Sequence, residues 1–143
     1  MLAKYIGIAY IIYMISVIFY EFLHFIAAVT LHIEIININI GNFIYFHINK
    51  VFISPFIFSG FVDVEYKSLI SKNSLSICIF YLSGIIGNLL IFILSLFFID
   101  NLLLKIWAVV VNGLSIAFSV IPITEGNDVV MLFYSLKEKQ KND

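Results

Sequence analysis

From Tyr5 to Tyr20 the chain carries no charged side chain, and the apolar run resumes after Glu21 and His24 as far as Leu31. This pattern predicts a helix over 5–31, longer than the roughly 20 residues that cross a bilayer core. Lys4 before an apolar stretch also fits a secretory signal peptide, but the run is too long and no small-x-small cleavage site follows it. Ser74 to Ile99 holds no charge and predicts a second span over 74–99. Leu102 to Ile123, interrupted only by Lys105, predicts a third over 102–123, with Asp100-Asn101 as the tight turn between them. The segment 33–66 differs in kind. Ile33-Glu34-Ile35-Ile36-Asn37-Ile38-Asn39-Ile40 alternates and is β-branched, Gly41-Asn42 is a turn signal, and short apolar runs follow. Strands in a hairpin or small sheet are expected there, held at the interface or against protein because their edges cannot face lipid. Residues 124–143 read as a polar turn and a short tail.

Composition supports a bilayer environment. Hydrophobic side chains make up 62% of the 143 residues and charged ones 12%, against roughly a quarter charged in soluble domains. Mean hydropathy is +1.08. No linker, low-complexity tract or long repeat divides the chain, so a single membrane-embedded domain over 1–143 is expected. The fold class is a predominantly α membrane protein of three transmembrane helices, with a short membrane-associated β-hairpin or small sheet between the first and second. The net charge of -1 leaves no basic footprint for nucleic acid. The lone Cys78 lies in an apolar run and reads as a small hydrophobe.

Lysines orient the spans. Lys50, Lys67, Lys72, Lys137, Lys139 and Lys141 fall on one side, Lys4 and Lys105 on the other. The positive-inside rule makes this a multi-pass protein of the cell membrane, with the strand region and C-terminus cytoplasmic. Glu21 then sits about 24 Å along the first helix from Tyr5, towards the cytoplasmic end. The third span delivers Pro122-Ile123-Thr124-Glu125-Gly126-Asn127-Asp128 to a similar depth.

Ionisable groups at a helix centre cost about 2.5–3.5 kcal/mol on insertion scales, which makes an acid and a histidine in one span a functional hypothesis. Solvation at the interface is the plain alternative. Positions 20 and 24 share a helix face with Glu21 beside it, the geometry of His-Glu-x-x-His zinc sites, in which two imidazoles hold the metal and the glutamate activates water. Here the sequence is Tyr20-Glu21-Phe22-Leu23-His24, with tyrosine in place of the first histidine.

The segment Tyr20-Glu21-Phe22-Leu23-His24-Phe25-Ile26-Ala27-Ala28 resembles the opening motif of the site-2 protease family of intramembrane zinc metalloproteases. The likeness continues in order. Ile33 to Gly41 is similar to the strand after that helix, and Pro55-Phe56-Ile57-Phe58-Ser59-Gly60-Phe61-Val62 resembles the family's Gly-Gly-Tyr-Val segment. Ser83-Gly84-Ile85-Ile86-Gly87-Asn88 is similar to Ala-Gly-Pro-x-x-Asn, with isoleucine for proline. Ser119-Val120-Ile121-Pro122-Ile123-Thr124-Glu125-Gly126 is similar to a shortened Asn-x-x-Pro-x-x-Leu-Asp-Gly. The resemblance covers nearly the whole chain as the family's three-helix core.

It implies that a zinc ion is held by His24 and Glu125, the latter standing where the family has aspartate, with Tyr20 at the first-histidine position. Asp128, about one turn onward, is a substitute for Glu125. The resemblance makes Glu21 the general base and has Asn88 position substrate or polarise the reacting carbonyl. The substrate would be a membrane-spanning or membrane-associated peptide, added as an extra strand to the edge of the Ile33 to Val64 region. Each position also has a structural reading. Asn88 beside Gly84 and Gly87 suits helix-helix contact, residues 125–128 suit a turn, and His32 and His47 suit interface or strand positions, although either could supply the missing ligand. Asn112 reads as a buried polar contact. A phenol binds zinc only after losing a proton that it holds tightly at neutral pH. Hence either another ligand completes the site, or the chain is a relative that has lost proteolysis. A noncatalytic membrane subunit is the third alternative.

Overall fold

In a computed structural model of the protein, residues 2–42, 46–121 and 127–142 are described. The chain runs α1 (Leu2–Thr30), β1 (Ile35–Ile40), β2 (Phe46–Ile48), β3 (Val51–Ile53), β4 (Gly60–Val64), α2 (Tyr66–Ile70), α3 (Ser74–Phe98), α4 (Leu102–Val120) and α5 (Asp128–Asn142). Among the described residues, three helices are long and apolar enough to cross a membrane: Ala3–Thr30, Ser74–Phe98 and Leu102–Val120. Their outer faces carry exposed Ile11, Ile15, Phe22, Ile86, Leu90 and Phe118. Water would leave so large an apolar surface unsatisfied, whereas lipid matches it.

The predicted spans agree with α1, α3 and α4 to within a few residues. Helix α1 stops at an αL residue, His32 (φ 54°). There the Ile33 N–H donates to the Ala28 carbonyl (2.8 Å) and the His32 N–H to the Val29 carbonyl (3.1 Å). These two bonds form a Schellman stop with histidine where glycine is usual. The α3–α4 connection is held by Asn101, whose side chain accepts from the Leu104 N–H at 3.2 Å and caps α4.

The strand region forms a four-stranded mixed sheet of order β2-β3-β1-β4. β1 pairs parallel with β3 (Ile38↔Val51) and antiparallel with β4 (Ile38↔Val62), while β2 and β3 form a hairpin. The loop from Ser54 to Ser59 reaches well down α1. Tyr10 accepts from the Ile57 N–H at 3.1 Å and Tyr13 donates to the Phe58 carbonyl. Asn42 Oδ1 takes the Phe58 N–H at 3.2 Å. Irregular backbone beside an apolar helix needs such partners, and Tyr10 and Tyr13 supply them from α1.

The C-terminal segment, expected as a tail, is instead the helix α5. Asn127 caps it, taking the Val129 N–H at 2.9 Å and the Val130 N–H at 3.3 Å on Oδ1. Asn127 Nδ2 also bonds the Ile121 carbonyl at 3.0 Å, joining α5 to the end of α4. Met131, Leu132, Ser135 and Leu136 supply the helical stripe that packs inward. The charge of the last turns had masked that short stripe. Leu132 joins Ala27, Ala28, Ile33, Leu69, Ile77, Phe80 and Tyr81 in the main core, with Cys78 packed against it as a small hydrophobe. Tyr81 and Ser135 hydroxyls meet there at 3.1 Å.

Candidate metal and catalytic site

One turn of α1 carries Tyr20, Glu21 and His24. Glu21 and His24 are almost fully buried, at 4% and 5% exposure. Small residues make room for them. A Cβ at Gly84 of α3 would overlap His24 Nε2 and come within 2.6 Å of Tyr20 Cζ, and a Cβ at Gly60 of β4 would lie 2.7 Å from Glu21 Cγ. Glycine is thus required at both positions by close approach rather than by backbone conformation.

His24 is held from behind. Its Nδ1 lies 2.9 Å from the Phe80 carbonyl and 3.2 Å from Ser83 Oγ. A carbonyl can only accept, so Nδ1 carries the proton, and in the neutral imidazole Nε2 keeps its lone pair. That nitrogen faces Asp128 Oδ2 at 3.6 Å. The Tyr20 hydroxyl donates to the same Asp128 oxygen and lies 3.2 Å from Ser119 Oγ. The Tyr20 and His24 rings meet edge-on at 5.0 Å. Glu21 lies within electrostatic range of both His24 and Asp128, near the Val62 backbone.

Two cavities meet at Tyr20 and Glu21. The larger, about 410 Å³, is lined by His24, Asp128 and all five residues of β4. The smaller, about 260 Å³, holds Ser16, Ser115, Ser119 and Asn88. Asn88 is 3% exposed and its Oδ1 has no hydrogen-bond partner among the described residues. It lines the smaller cavity with Tyr20 and Glu21, which His24 does not.

The sequence expectations separate accordingly. Tyr20, Glu21 and His24 converge, and Asn88 shares a cavity with Glu21. Glu125 lies outside the described residues, and it is Asp128, rated the substitute, that stands opposite His24. Neither His32 nor His47 lines the cavity: His32 follows the end of α1, and His47 lies tilted against Phe52, ring centroids 5.7 Å apart, at the exposed β2 edge. Asn112 bonds its own helix at the Ala108 carbonyl, 2.8 Å away. Sequence reasoning gave no role to the Phe80 carbonyl, Ser83 or Ser119, although the two serines open the segments that resemble the family's motifs.

The donors suit a zinc ion. Two ligands of one tetrahedral zinc lie roughly 3.4 Å apart, given metal-ligand bonds near 2.1 Å, close to the 3.6 Å between His24 Nε2 and Asp128 Oδ2. An imidazole whose other nitrogen is fixed by a carbonyl is the usual outer-shell arrangement of a metal histidine. Among the described residues no three His, Cys, Asp or Glu side chains converge, so the third donor in reach is the Tyr20 phenol. Set against protein-family models, curated proteins and solved structures, the chain matches none.

Proposed function

We propose that the protein is an intramembrane zinc metalloprotease of the site-2 type, cleaving a membrane-spanning or membrane-associated peptide, in a cell membrane with the sheet and α5 on the cytoplasmic side. The observation that carries this reading is His24 Nε2 facing Asp128 Oδ2 at 3.6 Å, with Nδ1 turned to the Phe80 carbonyl and Glu21 alongside. His24 and Asp128 would hold the metal, with the Tyr20 phenol oxygen as a third donor. Zinc, when bound, supplies the Lewis acid for the peptide carbonyl and for the attacking water. Glu21 takes the proton from that water and returns it to the leaving nitrogen. The Phe80 carbonyl and Ser83 keep His24 in one tautomer and orientation.

Substrate would enter as an extended strand. β4 ends the sheet order, and its residues from Gly60 to Val64 line the cavity that holds His24 and Asp128. A peptide added along that edge gains main-chain hydrogen bonds and lies beside Glu21. Asn88, in the adjoining cavity, supplies a further polar contact to the bound peptide.

The Tyr20 hydrogen bond to Asp128 favours a second reading. A phenol that occupies the carboxylate suits a relative that binds peptide along β4 without cutting it, or a noncatalytic membrane subunit. Metal content separates the two. The full chain, purified in detergent and dialysed against zinc, is expected to retain one zinc per molecule and to cleave transmembrane model peptides. Glu21→Gln should abolish cleavage and keep the metal. Absence of bound zinc, or cleavage unaffected by Glu21→Gln, would sink the protease reading.

A further inference from the structure

Helix α5 turns one face inward and leaves the other without a protein partner among the described residues. Its buried side, Leu132 and Ser135, meets the core and Tyr81. The opposite side carries Phe133 at 67% exposure and Tyr134 at 60%. One turn further on the same side is Lys137, followed a turn later by Lys141, both exposed. Two adjacent aromatic rings open to water are costly, and neither ring is needed to complete the core. Lysines in the last turn complement the helix dipole, but that accounts neither for Lys137 nor for the aromatic pair. Glu138 reaches Lys141 only at 3.9 Å, at the surface, so the face keeps its positive sign.

The neighbours of α5 continue the pattern. α3, against which α5 packs, exposes Leu75, Ile79 and Leu82 on its first turns. α2, also in contact with α5, exposes Tyr66 and Lys67. Apolar surface thus passes into aromatic residues and then into lysines. This is the order in which a bilayer passes from acyl chains through its interfacial layer to the headgroups. We infer that α5 lies on the membrane it adjoins, with Phe133 and Tyr134 in the interfacial layer and Lys137 and Lys141 bound to the headgroups of anionic phospholipids. The occupant is a lipid surface of negative charge, chosen because the apolar spans bring that surface to the helix and the lysines match its sign. The inference is independent of proteolysis, of zinc and of Glu21.

Hydrogen exchange of the full chain in lipid nanodiscs tests it. Phosphatidylcholine discs are compared with discs in which phosphatidylglycerol replaces part of the lipid. Amides from 133 to 141 are expected to exchange about fivefold or more slowly in the phosphatidylglycerol discs, since each lysine near an anionic surface is worth about a factor of five. The double variant Lys137→Gln/Lys141→Gln changes only exposed side chains and should remove the difference while leaving exchange in α1 and α3 unchanged. Equal exchange in the two discs overturns the inference. So does protection that is insensitive to the lysine variant, or that appears only when two copies share a disc, which would assign the face to a second chain.

Discussion

His24 Nε2 on α1 and Asp128 Oδ2 on the first turn of α5 lie 3.6 Å apart, joined by no turn, strand pair or local motif. The proposed metal site depends on that meeting. Asp128→Ala is therefore expected to weaken zinc binding by more than the roughly 10–100-fold that loss of an outer-shell partner costs. Titration against a chelator of known affinity measures it. Glu125→Ala, made in parallel, should change affinity far less; the reverse ranking would transfer the ligand to Glu125.

Tyr20 is the weak donor of the set, since its hydroxyl proton is committed to Asp128. Tyr20→His replaces it with an imidazole on the same helix face as His24 and is expected to tighten zinc binding by about tenfold or more. If the affinity of the natural chain is already high and the histidine leaves it unaltered, another group completes the site.

Gly84 lies against both His24 and Tyr20, and a methyl there would overlap His24 Nε2. Gly84→Ala should lower stability by about 1–3 kcal/mol and displace the histidine, so that zinc binding falls with it. Gly7, also in a helix, has nothing within 4 Å of an added Cβ. Gly7→Ala should leave zinc binding unchanged and raise stability by up to about 1 kcal/mol. Thermal unfolding in detergent, followed with the metal titration, compares the pair.

Asn127 both caps α5 and bonds the Ile121 carbonyl at 3.0 Å. Asn127→Ala is expected to cost about 0.5–2 kcal/mol. Because Asp128 is the next residue, the loss should show as faster hydrogen exchange over 129–131 and weaker zinc binding, with α1 and α3 unaffected.

Tyr10 satisfies the Ile57 N–H at 3.1 Å. Tyr10→Phe leaves that amide unpartnered, at a cost of about 1–3 kcal/mol, and should loosen the loop that leads into β4. Faster proteolytic nicking between residues 54 and 59, with unchanged zinc affinity, is the expected result. Slower or equal nicking would mean that the loop does not depend on α1.

The three spans, the strand segment after the first and the shared face of Tyr20 and His24 were legible in the amino-acid sequence. Each follows from local properties: the length of an uncharged run, a period of two, or a spacing of four residues. A turn signal such as Asp100-Asn101 is equally local, and α3 ends and α4 begins within a residue of where it predicts. Which carboxylate faces His24 is not a local property. Glu125 and Asp128 both follow the third span, and only the angle at which α5 leaves α4 and packs on α3 brings Asp128 to the histidine. Packing of α1 on α3 set His24 Nδ1 against the Phe80 carbonyl, and the approach of the 54–59 loop gave Tyr10 and Tyr13 their role as partners for a segment far away in sequence. Sequence alone determined that an acid and a histidine lie in an apolar helix; tertiary structure decided what they face, because hydrogen-bond partners in a low-dielectric interior are set by how helices cross rather than by their neighbours along the chain.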